Sequence, residues 1–329
     1  MRQIQLSQPL ERTNEKMIAA HLLAVSLFAL SNSTVAATPV QVSACTVTGM
    51  VEGGGLLDGQ HFKFDGGGED ITNWLGGFGE GAVAMSCGNF GTQLDAAIHG
   101  FGASGNAGAF SFTATDTNSH FGGDVFWRNP AKGAVGFSAS RITHSFSSAS
   151  SFGGTFNASD ALWRLGAFGE FYGSDTFSLG GGAYYLTGEL PTLVWTQNGF
   201  EGDVYANYYP SNNVALRLRG DLLAQTFYNK NVAIVTFGGF AISADAEYLI
   251  PDSAFSLFVG GRYANRDRKD TQDSFAENIV DLQGFVGAKF TFGGPTPCSL
   301  RQRDRHGTFD NTSVMQEKLP NIWSDQPYN

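Results

Sequence analysis

The stretch "FEGDVYANYYPSNNVALRLRG" (residues 200–220) reads as a strand, a tight turn and a second strand. In the first half Phe200, Val204, Ala206 and Tyr208 share one parity, and Glu201, Asp203, Tyr205 and Asn207 share the other. After "PSNN" (210–213), Val214, Leu216 and Leu218 oppose Arg217, Arg219 and Asp221. A period of two places such sets on opposite faces of a pleated strand. Proline, serine and asparagine between the runs supply turn geometry. One face is apolar, the other carries charge, and aromatics stand just before the turn.

The same grammar recurs along the chain. In "ALWRLGAFGEFY" (161–172), Trp163, Leu165, Ala167 and Phe171 oppose Arg164, Gly166, Phe168 and Glu170. In "VDLQGFVGAKFTFG" (280–293), Leu282, Val286, Ala288 and Phe290 oppose Asp281, Gln283 and Lys289. Short turn clusters begin at Gly88, Asn129, Gly173, Pro210 and Pro251, so they recur every 37 to 44 residues. Between them lie longer Gly/Ser/Thr/Asn-rich stretches such as 143–159 and 266–278, which read as loops. A propeller blade needs four strands in such a period, together with Gly-His and Trp-Asp signatures that are missing here. Two strands of about ten residues fit a transmembrane hairpin. Strands are expected near 45–53, 80–87, 92–101, 119–128, 133–142 and 161–172, then near 176–187, 200–209, 213–224, 237–250, 254–265 and 279–293. The expected fold is all-β: an antiparallel up-and-down transmembrane barrel of about twelve strands.

Composition agrees with an exported barrel. Only 15% of the 329 residues are charged, while glycine (43) and phenylalanine (28) are abundant. Residues 1–37 read as a cleaved signal peptide: Arg12 and Lys16, the apolar run 17–30, then Val35 and Ala37 before a mature start at Thr38. An uncleaved anchor is the competing reading. No uncharged run past residue 40 approaches the ~20 apolar residues of a spanning helix. The barrel is expected over 38–293 and a periplasmic, non-barrel tail over 294–329. The net charge of −10 gives no electrostatic reason to bind nucleic acid. A soluble sandwich alternates in the same way, but export and the short-long rhythm of connections favour the membrane.

If the barrel stands, charged side chains must face its lumen. Arginine or lysine on the lipid face at the midplane costs about 2–4 kcal/mol. Alternation then assigns Asp95, Asp124, Arg128, Arg164, Glu170, Asp203, Arg217, Arg219, Asp245, Arg262, Asp281 and Lys289 to the pore lining, with His99, Glu201, Asp221 and Glu247 beside them. Glycines in the inner rows are expected to leave room for water and solute. Trp127, Tyr172, Tyr208 and Tyr248, each near a short turn, are expected at the membrane interface, where amphipathic rings sit. In the first hairpin, pairing Cys45 with Cys87 sets Glu52 opposite Glu80. The two cysteines are then either a disulfide, allowed in an oxidising compartment, or two free thiols. Cys298 has no evident partner.

The segments "HFGGDVFWRNPAKGAVGFSAS" (120–140), "FEGDVYANYYPSNNVALRLRG" and "GFVGAKFTFGG" (284–294) resemble porin-like outer-membrane proteins of alphaproteobacteria, as does the basic "SLRQRDRHGTFDN" (299–311). The resemblance covers roughly residues 43–310. It implies a twelve-stranded barrel of poorly characterised function. The chain departs from the usual pattern in continuing past its last aromatic-ended strand.

No constellation in the sequence demands enzyme chemistry. His144-Ser145 is the one tempting pair, and adjacent residues on a strand point apart; no G-x-S-x-G element accompanies it. "EGGGLLDG" (52–59), "DGGGED" (65–70) and "GASGNAG" (102–108) lack the lysine and helix of a phosphate loop and read as outer loops. Asp65, Glu69 and Asp70 are a candidate for a divalent ion bridging lipopolysaccharide phosphates. No cofactor is expected. The leading expectation is a passive channel in the bacterial outer membrane for small hydrophilic solutes, mildly cation-preferring. The runner-up is a closed barrel with a structural or surface role in the envelope, its tail meeting peptidoglycan. An outer-membrane lipid hydrolase is third. Expected partners are outer-membrane lipid, lipopolysaccharide and small solutes or ions.

Overall fold

The computed structural model describes residues 45–64, 69–107, 110–150, 155–190, 195–229, 232–270, 276–293 and 299–309. Residues 1–37, read above as a signal peptide, Asp65, Cys298 and the side chains of Glu69 and Asp70 lie outside these.

Twelve antiparallel strands close on themselves, each pairing with its sequence neighbours and β1 pairing with β12. They are β1 (Cys45–Phe64), β2 (Glu69–Cys87), β3 (Phe90–Ala107), β4 (Phe110–Asn129), β5 (Gly133–Ser150) and β6 (Thr155–Ser174), then β7 (Phe177–Leu190), β8 (Trp195–Ser211), β9 (Val214–Asn229), β10 (Val232–Leu249), β11 (Phe255–Asp270) and β12 (Ala276–Phe292). Closure gives every strand two hydrogen-bonded neighbours and leaves no free sheet edge, which a bilayer requires. The five short turns and both ends of the barrel gather at one rim, the periplasmic rim of such barrels. Cys45 lies opposite Cys87 and Glu52 opposite Glu80, and the cysteines form a disulfide.

Burial alternates with the sequence. Leu75, Phe137, Phe200, Val204 and Leu282 are each about two-thirds exposed on the outer face, while Asp95, Asp124 and Arg164 are buried on the inner one. This is an inverted protein, apolar outside and polar inside, and lipid is the solvent that satisfies it. The chain is a transmembrane barrel of the bacterial outer-membrane type.

The strands run well beyond their expected ends. "EGGGLLDG" and residues 102–107 are strand, as are most of 143–159 and 266–278. The reason lies in the outer face. On β4 the outward residues change from Phe121 to Ser119, Thr117 and Thr115, and on β5 from Phe137 to Thr143, Ser145 and Ser147. On β6 they change from Trp163 to Ser159 and Asn157. Apolar alternation ends where lipid contact ends, but hydrogen-bonded pairing continues into the water above the membrane. Loops inferred from loss of alternation are therefore mostly strand extensions.

Candidate functional site: the lumen and its periplasmic plug

The strand pleat turns a layered set of charges inward. Arg164 on β6 donates from Nη2 to Glu201 on β8 at 2.8 Å, with its guanidinium 3.2 Å from the Tyr184 ring centroid. Arg219 bridges Asp203 (3.0 Å) and Asp221 (2.8 Å). Lys289 meets Glu52 at 2.7 Å, and Arg266 meets Asp281 at 2.5 Å. Arg217 reaches Glu247 at 2.5 Å and Asp245 at 3.2 Å. His120 and Asp95 share a hydrogen bond of 2.6 Å, and Glu170 accepts one from Ser178 at 2.8 Å. Asp124, Arg128 and Arg262 are also buried. All twelve charged positions assigned by alternation thus lie on the inner face.

Alternation broken off too early missed others. Asp116, Asp160, Arg266, Arg268 and Glu277 are buried inside the outer half of the barrel. The parity of Arg262, Arg266 and Arg268 along β11 was the available signal. His144 and Ser145 do not meet: His144 is buried against Asp116 at 2.6 Å and Ser145 is exposed outside.

Inner-row glycines do not leave open space. Each of several lies directly across the ladder from an aromatic ring that occupies the volume a Cβ would need. Gly54 and Phe78, Gly91 and Phe126, Gly136 and Phe168, Gly166 and Tyr184, and Gly180 and Tyr205 are such pairs. On β11 and β12 the arrangement is reciprocal, with Gly260 opposite Phe285 and Phe258 opposite Gly287. Each ring occupies this volume because the facing residue has no side chain. In the outer half, Leu56, Phe101, Phe146, Phe227 and Phe237 belong to one buried apolar cluster.

The tail is not simply outside the barrel. Residues 299–309 sit in the periplasmic mouth, where Leu300–His306 form a short helix, α1, capped by the Ser299 side chain accepting from the Gln302 amide. Leu300 packs on Tyr209, Ala215 and Leu249, and its amide donates to the Asn212 carbonyl at 2.8 Å. Arg303 donates to Glu247 at 2.8 Å, and Tyr209 donates to Asp304 at 3.0 Å. Burial alone would raise the Asp304 carboxyl, but Arg303 and Arg217 outweigh it and hold the group below its usual range. The Gly307 carbonyl accepts from Arg128 at 2.5 Å. Phe309 lies edge-on to Phe126 and Phe168, with centroids 4.8 and 5.0 Å away, and beneath the Arg128 guanidinium at 3.6 Å. The Gln93 side-chain amide clamps the Phe309 backbone, donating to its carbonyl at 2.9 Å and accepting from its amide at 2.7 Å. Above the plug is a cavity of about 450 Å³ lined by Glu52, Arg217, Asp245, Lys289, Arg303 and Asp304 among others.

The plug also corrects one interface assignment. Trp127 is half-buried on the outer face, and Tyr208 and Tyr248 are exposed there. Tyr172 instead points inward and is buried, with the Arg305 guanidinium 4.8 Å from its ring centroid. Phe171 takes the outward position, because adjacent strand residues face opposite sides.

No protein-family profile matches the chain, and no curated protein matches it. Among solved structures, the translocator domain of the autotransporter NalP from Neisseria meningitidis is 14% identical, with a TM-score of 0.47, over 85% of this chain and 96% of that one. The β domain of the Bordetella autotransporter BrkA is 10% identical, with a TM-score of 0.48, over 75% and 100%. A FadL homologue of Pseudomonas aeruginosa is 8% identical, with a TM-score of 0.47, over 75% and 90%. Similarity at this level reaches no further than barrel architecture.

Proposed function

We propose that the barrel is a cation-preferring channel for small hydrophilic solutes, closed at its periplasmic mouth by residues 299–309. The observation that carries this reading is the charge balance of the lumen. Among the described residues, thirteen buried Asp and Glu side chains on the strands stand against six buried Arg and Lys. Such an excess lowers the energy of a cation inside and raises that of an anion. Among the described residues the plug joins the wall through side chains, packing and a single main-chain hydrogen bond, from Leu300 to Asn212, whereas the strands share continuous ladders, so the mouth can open without unfolding the barrel. Opening would join the charged cavity to the periplasm. The apolar cluster in the outer half supports a second reading, a barrel that stays closed and serves the envelope.

Planar-bilayer recordings on the full chain and on a chain ending at Gly293 separate the two. The channel reading expects rare, small openings of the full chain, and frequent cation-selective steps once the plug is removed. Silence from both proteins would favour the closed barrel. Anion selectivity in the truncated one would overturn the assignment of the inner charges to selectivity.

A further inference from the structure

The outer face carries a cation where lipid contact ends. Arg141 on β5 points outward and is exposed. In register it lies between Phe121 on β4 and Trp163 on β6, and its guanidinium is 5.6 Å from the Trp163 ring centroid. Two residues further from the periplasm, the hydroxyls of Ser119 and Thr143 share a hydrogen bond of 2.6 Å on the same face. Below Arg141 the large outward residues of these strands include Val125, Val135, Phe137 and Leu165, all exposed hydrophobics, with alanine and glycine between them. Arg141 therefore marks the boundary at which hydrocarbon gives way to headgroups, on the rim opposite the short turns.

Unlike Arg164, Arg217, Arg219, Arg266 and Arg268 in the lumen, Arg141 has no carboxylate in ion-pair reach among the described residues; Glu189, outward on β7, is two strands away and forms no pair with it. An arginine facing hydrocarbon is costly at mid-membrane and nearly neutral only at the interface. There its charge seeks an anion, and its planar fork suits two phosphate oxygens at once. The adjacent indole is a residue type that anchors at this depth and holds the guanidinium over its face.

We propose that Arg141, steadied by Trp163 and bordered by Ser119 and Thr143, is a binding site for a phosphate group of the outer-leaflet glycolipid. The acyl chains would lie along Phe121, Val125 and Phe137, and the hydroxyls would offer further donors to the headgroup.

The test is native mass spectrometry of the full-length protein in detergent, titrated with diphosphorylated lipid A and with the same lipid stripped of phosphate. The wild-type protein is expected to retain the phosphorylated lipid. Arg141→Gln should weaken that binding by about tenfold to a hundredfold, the worth of lost hydrogen bonds to a charged group, and leave the stripped lipid unaffected. Arg141→Lys, which keeps charge without the fork, should fall between. Equal affinity of the wild type and Arg141→Gln for the phosphorylated lipid overturns the proposal, as does equal affinity of the wild type for both lipids. Millimolar inorganic phosphate that displaces the lipid completely would reassign the site to a free anion and overturn it too. Arg141 is exposed, so the variants should fold; retention of heat-modifiable electrophoretic mobility verifies this.

Discussion

The side-chain amide of Gln93 on β3 holds both backbone polar groups of Phe309, its Nε2 donating to the carbonyl at 2.9 Å and its Oε1 accepting from the amide at 2.7 Å. A side chain here completes the main-chain pairing that the plug cannot draw from a strand. Phe309 is in turn enclosed by Phe126, Phe168 and Arg128. The residue is the anchor at the far end of the plug.

Removing the anchor should loosen the plug and leave the barrel standing. Phe309→Ala deletes a buried ring, a change that costs about 3–5 kcal/mol in a rigid core and less here, where the segment can leave. Gln93→Ala removes two net hydrogen bonds of about 0.5–1.5 kcal/mol each. Both variants are expected to expose the 299–309 segment to periplasm-side protease and to raise open probability. Heat-modifiable mobility should be unchanged.

The buried pair of Arg303 and Glu247 predicts an asymmetry. Arg303→Gln leaves Glu247 with Arg217 as its remaining cation, at 2.5 Å. Glu247→Gln takes a carboxylate from two arginines at once and leaves Arg217 and Arg303 sharing Asp304, at 3.4 and 2.8 Å. The second change is the more damaging, because two cations lose a partner together, each loss worth about 1.5–3 kcal/mol for a hydrogen bond to a charged group. The double variant should recover part of the loss. Urea titration of plug release, followed by a fluorophore on the 299–309 segment, measures all three.

The plug should respond to acid. Partial loss of water around the still exposed ring, together with the positive charges of Arg128 and Arg305, lowers the affinity of His306 for a proton when α1 is docked. The undocked histidine regains its ordinary pKa near 6.5. Docking is therefore at full strength above about pH 6.5 and weakens as the pH falls through that value, because the free segment binds the proton more readily. Plug accessibility measured from pH 8 to pH 5 should rise on acidification in the wild type. His306→Gln should flatten the response.

The Cys45–Cys87 disulfide spans a sequence separation of 42 residues at the periplasmic rim. Loop-closure entropy for a span of this length is worth about 4 kcal/mol. Reduction, or Cys45→Ser with Cys87→Ser, should lower the unfolding temperature in detergent without altering conductance, since the bond lies outside the lumen.

Gly260 and Gly287 make the wall testable. A Cβ at either position falls on the ring directly opposite, Phe285 or Phe258. Gly260→Val should cost about 1–3 kcal/mol through overpacking, read as lower folding yield. A paired Phe285→Ala change should restore part of the yield, since the Ala244 carbonyl and the Asp245 Cβ still crowd a side chain at 260.

The hairpin 200–220 contains most of what sequence alone determined. Its alternation, repeated through the chain and read with the short turns, was enough for strand number, closure and most of the inward charges, whereas the register of Cys45 with Cys87 entered as a premise that the structure bears out. These follow from a local rule: a strand has two faces, and hydrocarbon disfavours charge on the face that meets it, most of all at the midplane. Tyr172 shows where the rule needs finer reading, since it and Phe171 compete for the interface and only the pleat decides which turns outward. The tertiary structure alone decided what fills the barrel. Phe258 and Gly287 are 29 positions apart, and their fit depends on the register between two strands. Gln93 and Phe309 lie 216 positions apart, and the tail meets the mouth only after twelve strands have closed around it. Alternation records which solvent each side chain meets; it does not record which distant side chains meet one another.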